Sequence, residues 1–209
     1  MKEKWDARYS EGDFAYGKEP NVFFKEWLPK LEAGTILMPA DGEGRNGVFA
    51  AMQGWKVTSL DLSAEGKTKA LKLAKEQGVE LNYLVGDLAA LNFDKVSFDA
   101  IGLIYAHFGA ENKSALHKKL DQYLKVGGYV IFEAFSKKHL ELRKQNPKVG
   151  GPNNIDTLFS EEEVRNDFKN YEVLLLEEQE IELNEGKYHI GKGSVIRFVG
   201  RKLSENLSS

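Results

Sequence analysis

The stretch TILMPADGEGRNGVFAA, residues 35–51, runs from apolar and β-branched residues through a glycine-rich turn into a predicted helix. Gly42 and Gly44 allow a close approach to the backbone, and the free N–H groups at the start of the helix favour electron-rich ligand atoms. A Gly-x-Gly turn by itself is equally compatible with a nucleotide cradle and with a tight connection. Other residues of the sequence are needed to decide between these two interpretations.

Length and composition indicate one globular domain. The chain has 209 residues, 42% of them hydrophobic, and a formal net charge of -3. We expect residues 1–33 to form a helical N-terminal segment, residues 34–203 a core and residues 204–209 a flexible tail. No long basic run is present, so nucleic acid is not expected as the main partner. Oligomeric state is not indicated.

The absence of cysteine excludes disulfides, thiolate zinc sites and cysteine nucleophiles. The four histidines lack ligand spacing, so no metal is expected. We find no signal-peptide core and no apolar run of roughly 18 residues, so we expect a cytoplasmic protein without a membrane partner. The lysine-rich face near Lys67 to Lys75 is interpreted as solvated helix surface rather than an RNA track.

Short β-like runs alternate with amphipathic segments along the first two thirds of the chain. A helix is predicted from about Arg45 to Gln53, ended by Gly54, and another from about Lys113 to Lys125. The apolar face of the second helix is formed by Leu116, Leu120, Tyr123 and Leu124. Strands that alternate with such helices predict a Rossmann-like, doubly wound α/β sheet, mostly parallel.

The last third has a different pattern. Ser160 and Glu163 form a predicted capping box at the start of a helix. The runs YEVLLLEEQEIEL and SVIRFVGRK then predict two long strands joined across NEGKYHIGKG, residues 184–193. These strands would form an antiparallel edge of the sheet.

Two acids follow the next strands. Asp61 ends KVTSLD, 17 residues after Gly44, where an acid can accept hydrogen bonds from both ribose hydroxyls of a nucleoside; the alternative is a helix N-cap. Asp87 follows LNYLVG, where it could accept from an adenine amino group while Leu88 packs on the base; the alternative is a turn aspartate. Because parallel strands end at one edge of the sheet, these residues and the turn should share a crevice.

The sequence resembles the class I S-adenosylmethionine-dependent methyltransferases, and within them a bacterial group labelled tellurite-resistance or thiopurine methyltransferase-like. The matching stretches are WDARY, FAYGKEPNVFF, ADGEGRN, VTSLDLSAEG, VGDL, LKVGGYVIFEAF, GGPNN and EGKYHIGKGSVIRFVGRK. The resemblance implies seven strands, the last one antiparallel, with S-adenosylmethionine as cofactor.

The resemblance also implies the cofactor contacts. The turn would meet the methionine part, Tyr16 would close over the cofactor, and Arg8 could meet its carboxylate, although a surface ion pair is the expected role for Arg8. The residues expected at the cofactor are Tyr16, Ala40, Asp41, Gly42, Gly44, Asp61, Leu62, Asp87 and Leu88.

The sequence departs from the broad class at Met38, where an acid is usual, and at Ala40, where glycine is usual. In the broad class that acid orients the turn or reaches the amino group of the cofactor through water, and Asp41 is expected to take over part of this role. Pro39 removes one backbone donor at the end of the strand.

Methyl transfer from a sulfonium needs alignment of the reactants, and a general base only if the acceptor must lose a proton. His107, after the fourth strand, is the candidate base, with packing in a loop as the alternative. Tyr188 and His189 either reach over the acceptor pocket or shape a loop permitted by Gly191 and Gly193.

The expected function is methylation of a small molecule. The alternatives are a protein or nucleic-acid methyltransferase and a cofactor-binding protein without transferase activity. A nicotinamide dehydrogenase is a weaker alternative, since Gly42, Gly44 and Gly47 fit Gly-x-Gly-x-x-Gly but no second nucleotide-binding half is recognisable.

Overall fold

A computed structural model describes residues 2–205 of the chain. The predicted tail, residues 204–209, lies outside the described part from residue 206 onward. The helices are α1 (Lys2–Tyr9), α2 (Val22–Trp27), α3 (Arg45–Met52), α4 (Ala64–Glu76), α5 (Lys113–Asp121), α6 (His139–Gln145) and α7 (Glu161–Asp167). The strands are β1 (Thr35–Pro39), β2 (Lys56–Asp61), β3 (Asn82–Val85), β4 (Phe98–Ile104), β5 (Leu124–Phe135), β6 (Tyr171–Glu185) and β7 (His189–Lys202). Short 3-10 turns cover Leu28–Lys30, Pro147–Val149 and Ile155–Thr157.

The strands form one seven-stranded sheet in the order β3-β2-β1-β4-β5-β7-β6. The first five are parallel, and β7 runs antiparallel to both β5 and β6. Consecutive buried residues such as Ile36, Leu37 and Met38 on β1 show why a parallel arrangement is favoured, because both faces of the strand are covered. The predicted doubly wound α/β fold is confirmed.

The strand order reverses between β1 and β4, and this positions the site. β1 pairs with β2 as far as Pro39, but its pairing with β4 covers only Ile36 and Leu37. β1 and β4 thus lose their pairing toward their carboxyl ends, at the point where ligands of such sheets bind.

Local sequence signals account for two helix ends. The capping box of Ser160 and Glu163 at the start of α7 is confirmed, with reciprocal hydrogen bonds between the two residues. α3 ends at Met52, and Gly54 follows in a left-handed conformation with φ +86°.

The predicted helix over residues 113–125 is wrong at its carboxyl end. α5 ends at Asp121, and Leu124 already belongs to β5, where it pairs with Phe98 of β4. The buried ammonium of Lys202 donates to the carbonyl oxygens of Asp121 (2.7 Å) and Leu124 (2.9 Å). Tertiary contacts therefore override the helical spacing at this point.

The connection between β6 and β7 is shorter than predicted. The two strands stay paired as far as Glu185 and His189, so the turn consists of residues 186–188. Gly191 and Gly193 lie within β7, and the expected loop shaped by them is wrong. Leu183, buried opposite Gly191, extends the ladder by packing into the core.

The N-terminal segment packs across the carboxyl ends of the strands. Phe23, Phe24 and Leu28 are buried against β1 and its neighbours. Asp6 on α1 accepts hydrogen bonds from the Ser63 hydroxyl (2.6 Å) and from the backbone N–H of Ala64 (3.1 Å), which fixes α1 to the start of α4. Within residues 2–205 no helix has the length and apolar character needed to cross a membrane.

Candidate functional site

The glycine-rich loop (residues 40–44) joins β1 to α3 in left-handed backbone conformations. Ala40 is exposed and has φ +55°, a conformation that normally requires glycine. A Cβ added at Gly44 would lie 2.5 Å from Cβ of Ala70, so this glycine lets α4 approach the loop. The loop therefore keeps the backbone of a glycine turn even where the sequence departs from it.

We expect Ala40→Gly to raise the free energy of unfolding by about 0.5–1 kcal/mol, because the left-handed strain exceeds the entropy cost of glycine. Urea unfolding followed by circular dichroism measures this difference. Ala51→Gly within α3 is the matched control and should lose about 0.5–1 kcal/mol. A decrease for Ala40→Gly would contradict the expectation.

Asp41 is turned into the protein. Its carboxylate accepts from the Ser59 hydroxyl (2.6 Å) and from the N–H of Gly47 (3.2 Å). Burial raises the pKa of Asp41 to about 7 although both hydrogen bonds oppose the shift. Asp41 thus orients the turn, which is one of the two roles expected of the missing acid.

This buried carboxyl should make stability depend on pH. The pKa of Asp41 is 3.8 ordinarily and about 7 in the folded protein, so its contribution is complete below pH 3.8 and lost as the pH rises through about 7. As the pH rises across this interval, we expect the free energy of unfolding to fall less for Asp41→Asn than for the wild type. Asp94→Asn, at an exposed position, is the control and should follow the wild type. Equal pH profiles for Asp41→Asn and the wild type would contradict this expectation.

Met38 does not face the crevice as an acid would. Its side chain is 1% exposed and packs in the core with Phe24. A Cβ added at Gly102 of β4 would lie 2.5 Å from Sδ of Met38. An acid at this position would be buried among apolar groups, which explains the methionine. Pro39 pairs in register with Leu60.

Asp61 ends β2 beside the loop. Its carboxylate oxygens accept from the N–H of Gly42 (3.0 Å) and from the N–H of Ser63 (2.9 Å). Ser63, not Asp61, is the N-cap of α4, which argues against the alternative role for Asp61. Burial raises the pKa of Asp61, partly offset by these hydrogen bonds.

Tyr9 covers this part of the site. A Cβ added at Gly42 would lie 2.6 Å from the Tyr9 hydroxyl, and a Cβ added at Gly66 would lie 3.2 Å from its ring. Tyr9 is 5% exposed, and the charge of Asp61 together with burial raises its pKa. The ring therefore lies between the loop and α4, close to Asp61.

Asp87 and Leu88, which follow β3, are the third group predicted to contact the cofactor. Asp87 is exposed and accepts from the N–H of Ala89 (2.9 Å), the geometry of a turn aspartate. Leu88 is 5% exposed and belongs to the main core, whereas Leu62 is half-buried. Asp87 thus makes the hydrogen bond of a turn aspartate, and its other carboxylate oxygen accepts no hydrogen bond from residues 2–205.

The donor set fits the adenosyl half of the cofactor. Each oxygen of Asp61 receives one protein N–H and can accept a further hydrogen bond, as a ribose diol requires. Tyr9, a planar ring with a hydroxyl, occupies the adjoining space and would have to move. The loop and the strand before it supply no acid for the amino group of the cofactor, because Asp41 points into the protein and Met38 is apolar.

A second group of predicted residues meets at the β6–β7 turn. The Tyr16 ring lies 4.5 Å from the His189 ring and 6.1 Å from the Tyr188 ring. Arg8 donates to the Tyr16 hydroxyl (2.7 Å) and lies 4.2 Å from the Tyr188 ring. The expected ion pair of Arg8 is wrong, since no carboxylate in residues 2–205 lies within 4.0 Å of it.

Residues of the glycine-rich loop and of α3 connect the two groups. Glu43 accepts from the N–H of Ala15 (2.7 Å) and pairs with Lys69 (2.8 Å). Arg45 donates to the Tyr16 carbonyl (3.2 Å) and pairs with Glu185 (3.0 Å). Lys69 is therefore not solvated surface, although Lys72 and Lys75 are exposed as expected.

A buried carboxylate lies under this second group. Glu133 of β5 is 0% exposed and accepts from the side chains of Asn21 (2.7 Å) and Arg197 (2.6 Å). Glu133 was missed in the sequence, where it stands as an acid within the apolar run GYVIFEAF. Tyr9, Glu43 and Glu185 were also missed, although they lie in three of the stretches that carry the resemblance, WDARY, ADGEGRN and EGKYHIGKGSVIRFVGRK.

His107 has no free nitrogen. Its Nδ1 lies 3.1 Å from the Thr157 carbonyl oxygen, and its Nε2 accepts from the N–H of Phe135 (3.3 Å). Burial lowers the pKa of His107 to about 4, so the ring is neutral. This geometry supports the packing alternative over a role as general base.

Two further features lie outside the site. Across residues 2–205, no group of three or more histidine, aspartate or glutamate side chains is placed to hold a metal. A surface depression of about 490 Å³ is lined by residues of α4 and by residues 78–81, which precede β3. Residues 78–81 precede the amino end of β3, whereas Asp61 lies at the carboxyl end of β2.

Residues 36–128 match the methyltransferase domain family. The uncharacterized methyltransferase YbaJ of Bacillus subtilis (strain 168) is 30% identical over 108 residues, which are 51% of this chain and 42% of that relative. The chain thus spans less than half the length of the curated relative it matches.

Solved structures of other proteins have a similar fold over most of this chain. A protein studied for the conversion of a disulfide bond into a thioacetal group during echinomycin biosynthesis superimposes with a TM-score of 0.78 at 18% identity, over 99% of this chain and 94% of that chain. A SAM-dependent methyltransferase from Methanosarcina mazei gives a TM-score of 0.65 at 19% identity, over 90% of this chain and 100% of that chain. Residues 36–128 are therefore similar to the methyltransferase domain family, and the chain has a fold shared with SAM-dependent methyltransferases.

Proposed function

We propose that the protein binds S-adenosylmethionine in front of Asp61 and transfers its methyl group to a small-molecule acceptor. The observation that carries the proposal is the pairing of the left-handed glycine-rich loop with Asp61 at the point where the strand order reverses. Asp61 would hold the ribose hydroxyls, and Leu62 and Asp87 would adjoin the adenine. The family match and the SAM-dependent neighbour support this cofactor.

Bound S-adenosylmethionine would supply an electrophilic methyl group on a sulfonium. The residues of this chain would orient the donor and the acceptor and exclude water. Ala15 and Tyr16 are held over the loop by Glu43 and Arg45, so the N-terminal segment shields the reacting groups. His107 is proposed as a packing residue, because its nitrogens serve the backbone.

The side chains that cover the predicted residues at the β6–β7 turn support a small acceptor. Tyr16, Tyr188 and Arg8 close the space above His189, which is 5% exposed, and a macromolecular chain would need all three to move. The fold neighbour was studied for the conversion of a disulfide bond into a thioacetal group during echinomycin biosynthesis, which is consistent with this choice. We also propose one domain, with residues 1–33 as its lid, acting in the cytoplasm.

Calorimetry with S-adenosylmethionine, S-adenosylhomocysteine and NAD tests the proposal. We expect both adenosyl ligands to bind and NAD not to bind. Binding of NAD alone would overturn the assignment. A fractionated lysate incubated with labelled cofactor tests the transfer itself. If the adenosyl ligands bind but nothing in the lysate is methylated, the result would favour a cofactor-binding protein without transferase activity. Label found only in macromolecules would contradict a small-molecule acceptor.

A further inference from the structure

We propose that Glu185 and His189 form a proton-accepting dyad for the acceptor, whose reacting atom carries a dissociable proton. Nδ1 of His189 lies 2.9 Å from a carboxylate oxygen of Glu185. Arg45 holds the same carboxylate at 3.0 Å, and Asn21 donates to its other oxygen at 3.5 Å. This inference rests on the proposed function and concerns the acceptor side of that site.

The arrangement fixes the position of the proton on the ring. Burial would raise the pKa of Glu185, but the hydrogen bond from His189 and the charge of Arg45 outweigh it and lower the pKa to about 2. An ionised carboxylate only accepts, so Nδ1 of His189 must carry the proton and Nε2 must keep its lone pair. Burial lowers the pKa of His189, which keeps the ring neutral near neutral pH.

Among the four histidines, His189 combines a free Nε2 with a position at the site. Both nitrogens of His107 and of His139 make hydrogen bonds to the backbone. His117 bonds to Asp167, and its Nε2 is enclosed by aromatic rings of the core. Within the part of the chain that the structure describes, Nε2 of His189 has no hydrogen-bond partner.

A second unpartnered polar group lies beside it. The Tyr105 ring, at the carboxyl end of β4, is 4.8 Å from the His189 ring, and its hydroxyl is buried with no hydrogen-bond partner in residues 2–205. Tyr105 has φ +52°, a strained conformation that the surrounding structure maintains. Burial and the nearby Glu133 raise its pKa, so the hydroxyl keeps its proton and can donate.

Together the free nitrogen and the free hydroxyl suit a neutral acceptor with a thiol, hydroxyl or N–H group. The proton of that group would pass to Nε2 of His189, and its electron pair would form the bond to the methyl carbon. The electron pair of the broken carbon–sulfur bond would stay on sulfur, which loses its positive charge. Glu185 is the positioning residue that stabilises the resulting imidazolium.

Nuclear magnetic resonance of histidine labelled with ¹⁵N tests the dyad near neutral pH. Two-bond and three-bond couplings should show His189 neutral, with its proton on Nδ1. Glu185→Ala should move the proton to Nε2, the form that free histidine prefers, and Glu185→Gln should restore Nδ1–H because its carbonyl oxygen accepts the hydrogen bond. The His117 signals report whether each variant keeps its fold.

A proton on Nε2 in the wild-type protein would overturn the dyad, and so would an unchanged proton position in Glu185→Ala. S-adenosylhomocysteine should leave Nε2 unprotonated and without a hydrogen bond, since that nitrogen is reserved for the acceptor. A hydrogen bond to Nε2 from this ligand would overturn the assignment to the acceptor side. Failure of S-adenosylhomocysteine to bind in calorimetry would contradict the proposed function. The dyad is tested independently of that result, because the position of the proton on His189 is measured without ligand.

Discussion

Replacing Glu133 with alanine is expected to lower the free energy of unfolding by about 3–5 kcal/mol, the cost of breaking a buried ion pair. Glu133 is 0% exposed, and the Arg197 side chain, which donates to it at 2.6 Å, is 15% exposed. The substitution leaves this guanidinium buried without its carboxylate. It also removes the acceptor of the shortest hydrogen bond of Asn21, which is 2.7 Å long.

Urea unfolding measures this loss. Glu133→Gln should lose less, because an amide oxygen can still accept from one of the two donors. Glu182→Ala, at an exposed position of β6, is the matched control and should change stability by less than about 0.5 kcal/mol. A loss for Glu133→Ala no larger than that of the control would mean that the network contributes nothing.

Asp61→Ala is expected to weaken the binding of S-adenosylhomocysteine by about 1–3 kcal/mol, or about 5- to 150-fold. The variant would leave ribose hydroxyls without their charged acceptor. It would also release the N–H of Gly42, which Asp61 holds at 3.0 Å, so the loop would lose part of its preorganisation. Calorimetry gives the affinity.

Asp6→Ala is the matched control, because it removes the contact of α1 with Ser63 and Ala64 but leaves Asp61 in place. We expect this variant to bind S-adenosylhomocysteine at least as tightly as the wild type. Equal affinities for Asp61→Ala and the wild type would remove Asp61 from the site, and with it the main support for the proposed cofactor position.

Patterns along the chain were sufficient to predict the sheet. Alternating apolar strands and amphipathic helices predicted the doubly wound fold, and the strand ends placed Asp61 beside the loop. The failures occurred where distant residues decide local structure. Lys202 anchors the end of α5 from 81 residues away, and no spacing rule contains that contact.

The site was predictable only in part, for the same reason. Glu43 binds Ala15 across 28 residues, and the location of Tyr9 depends on how the N-terminal segment crosses the sheet. His107 follows β4 as predicted, but which atoms its nitrogens meet depends on Thr157 and Phe135. Sequence position identified candidate groups, whereas hydrogen-bond partners determine which of them are free to react.

For the proposed methyl transfer, the docking of α1 would have a consequence for the rate of turnover. Tyr9 lies against Gly42 and Gly66, and Asp6 ties the same helix to the first turn of α4. A molecule bound in front of Asp61 could therefore enter or leave only after these contacts break. The frequency with which α1 detaches would then be an upper limit on the number of catalytic cycles per second, however fast the bond-forming step becomes.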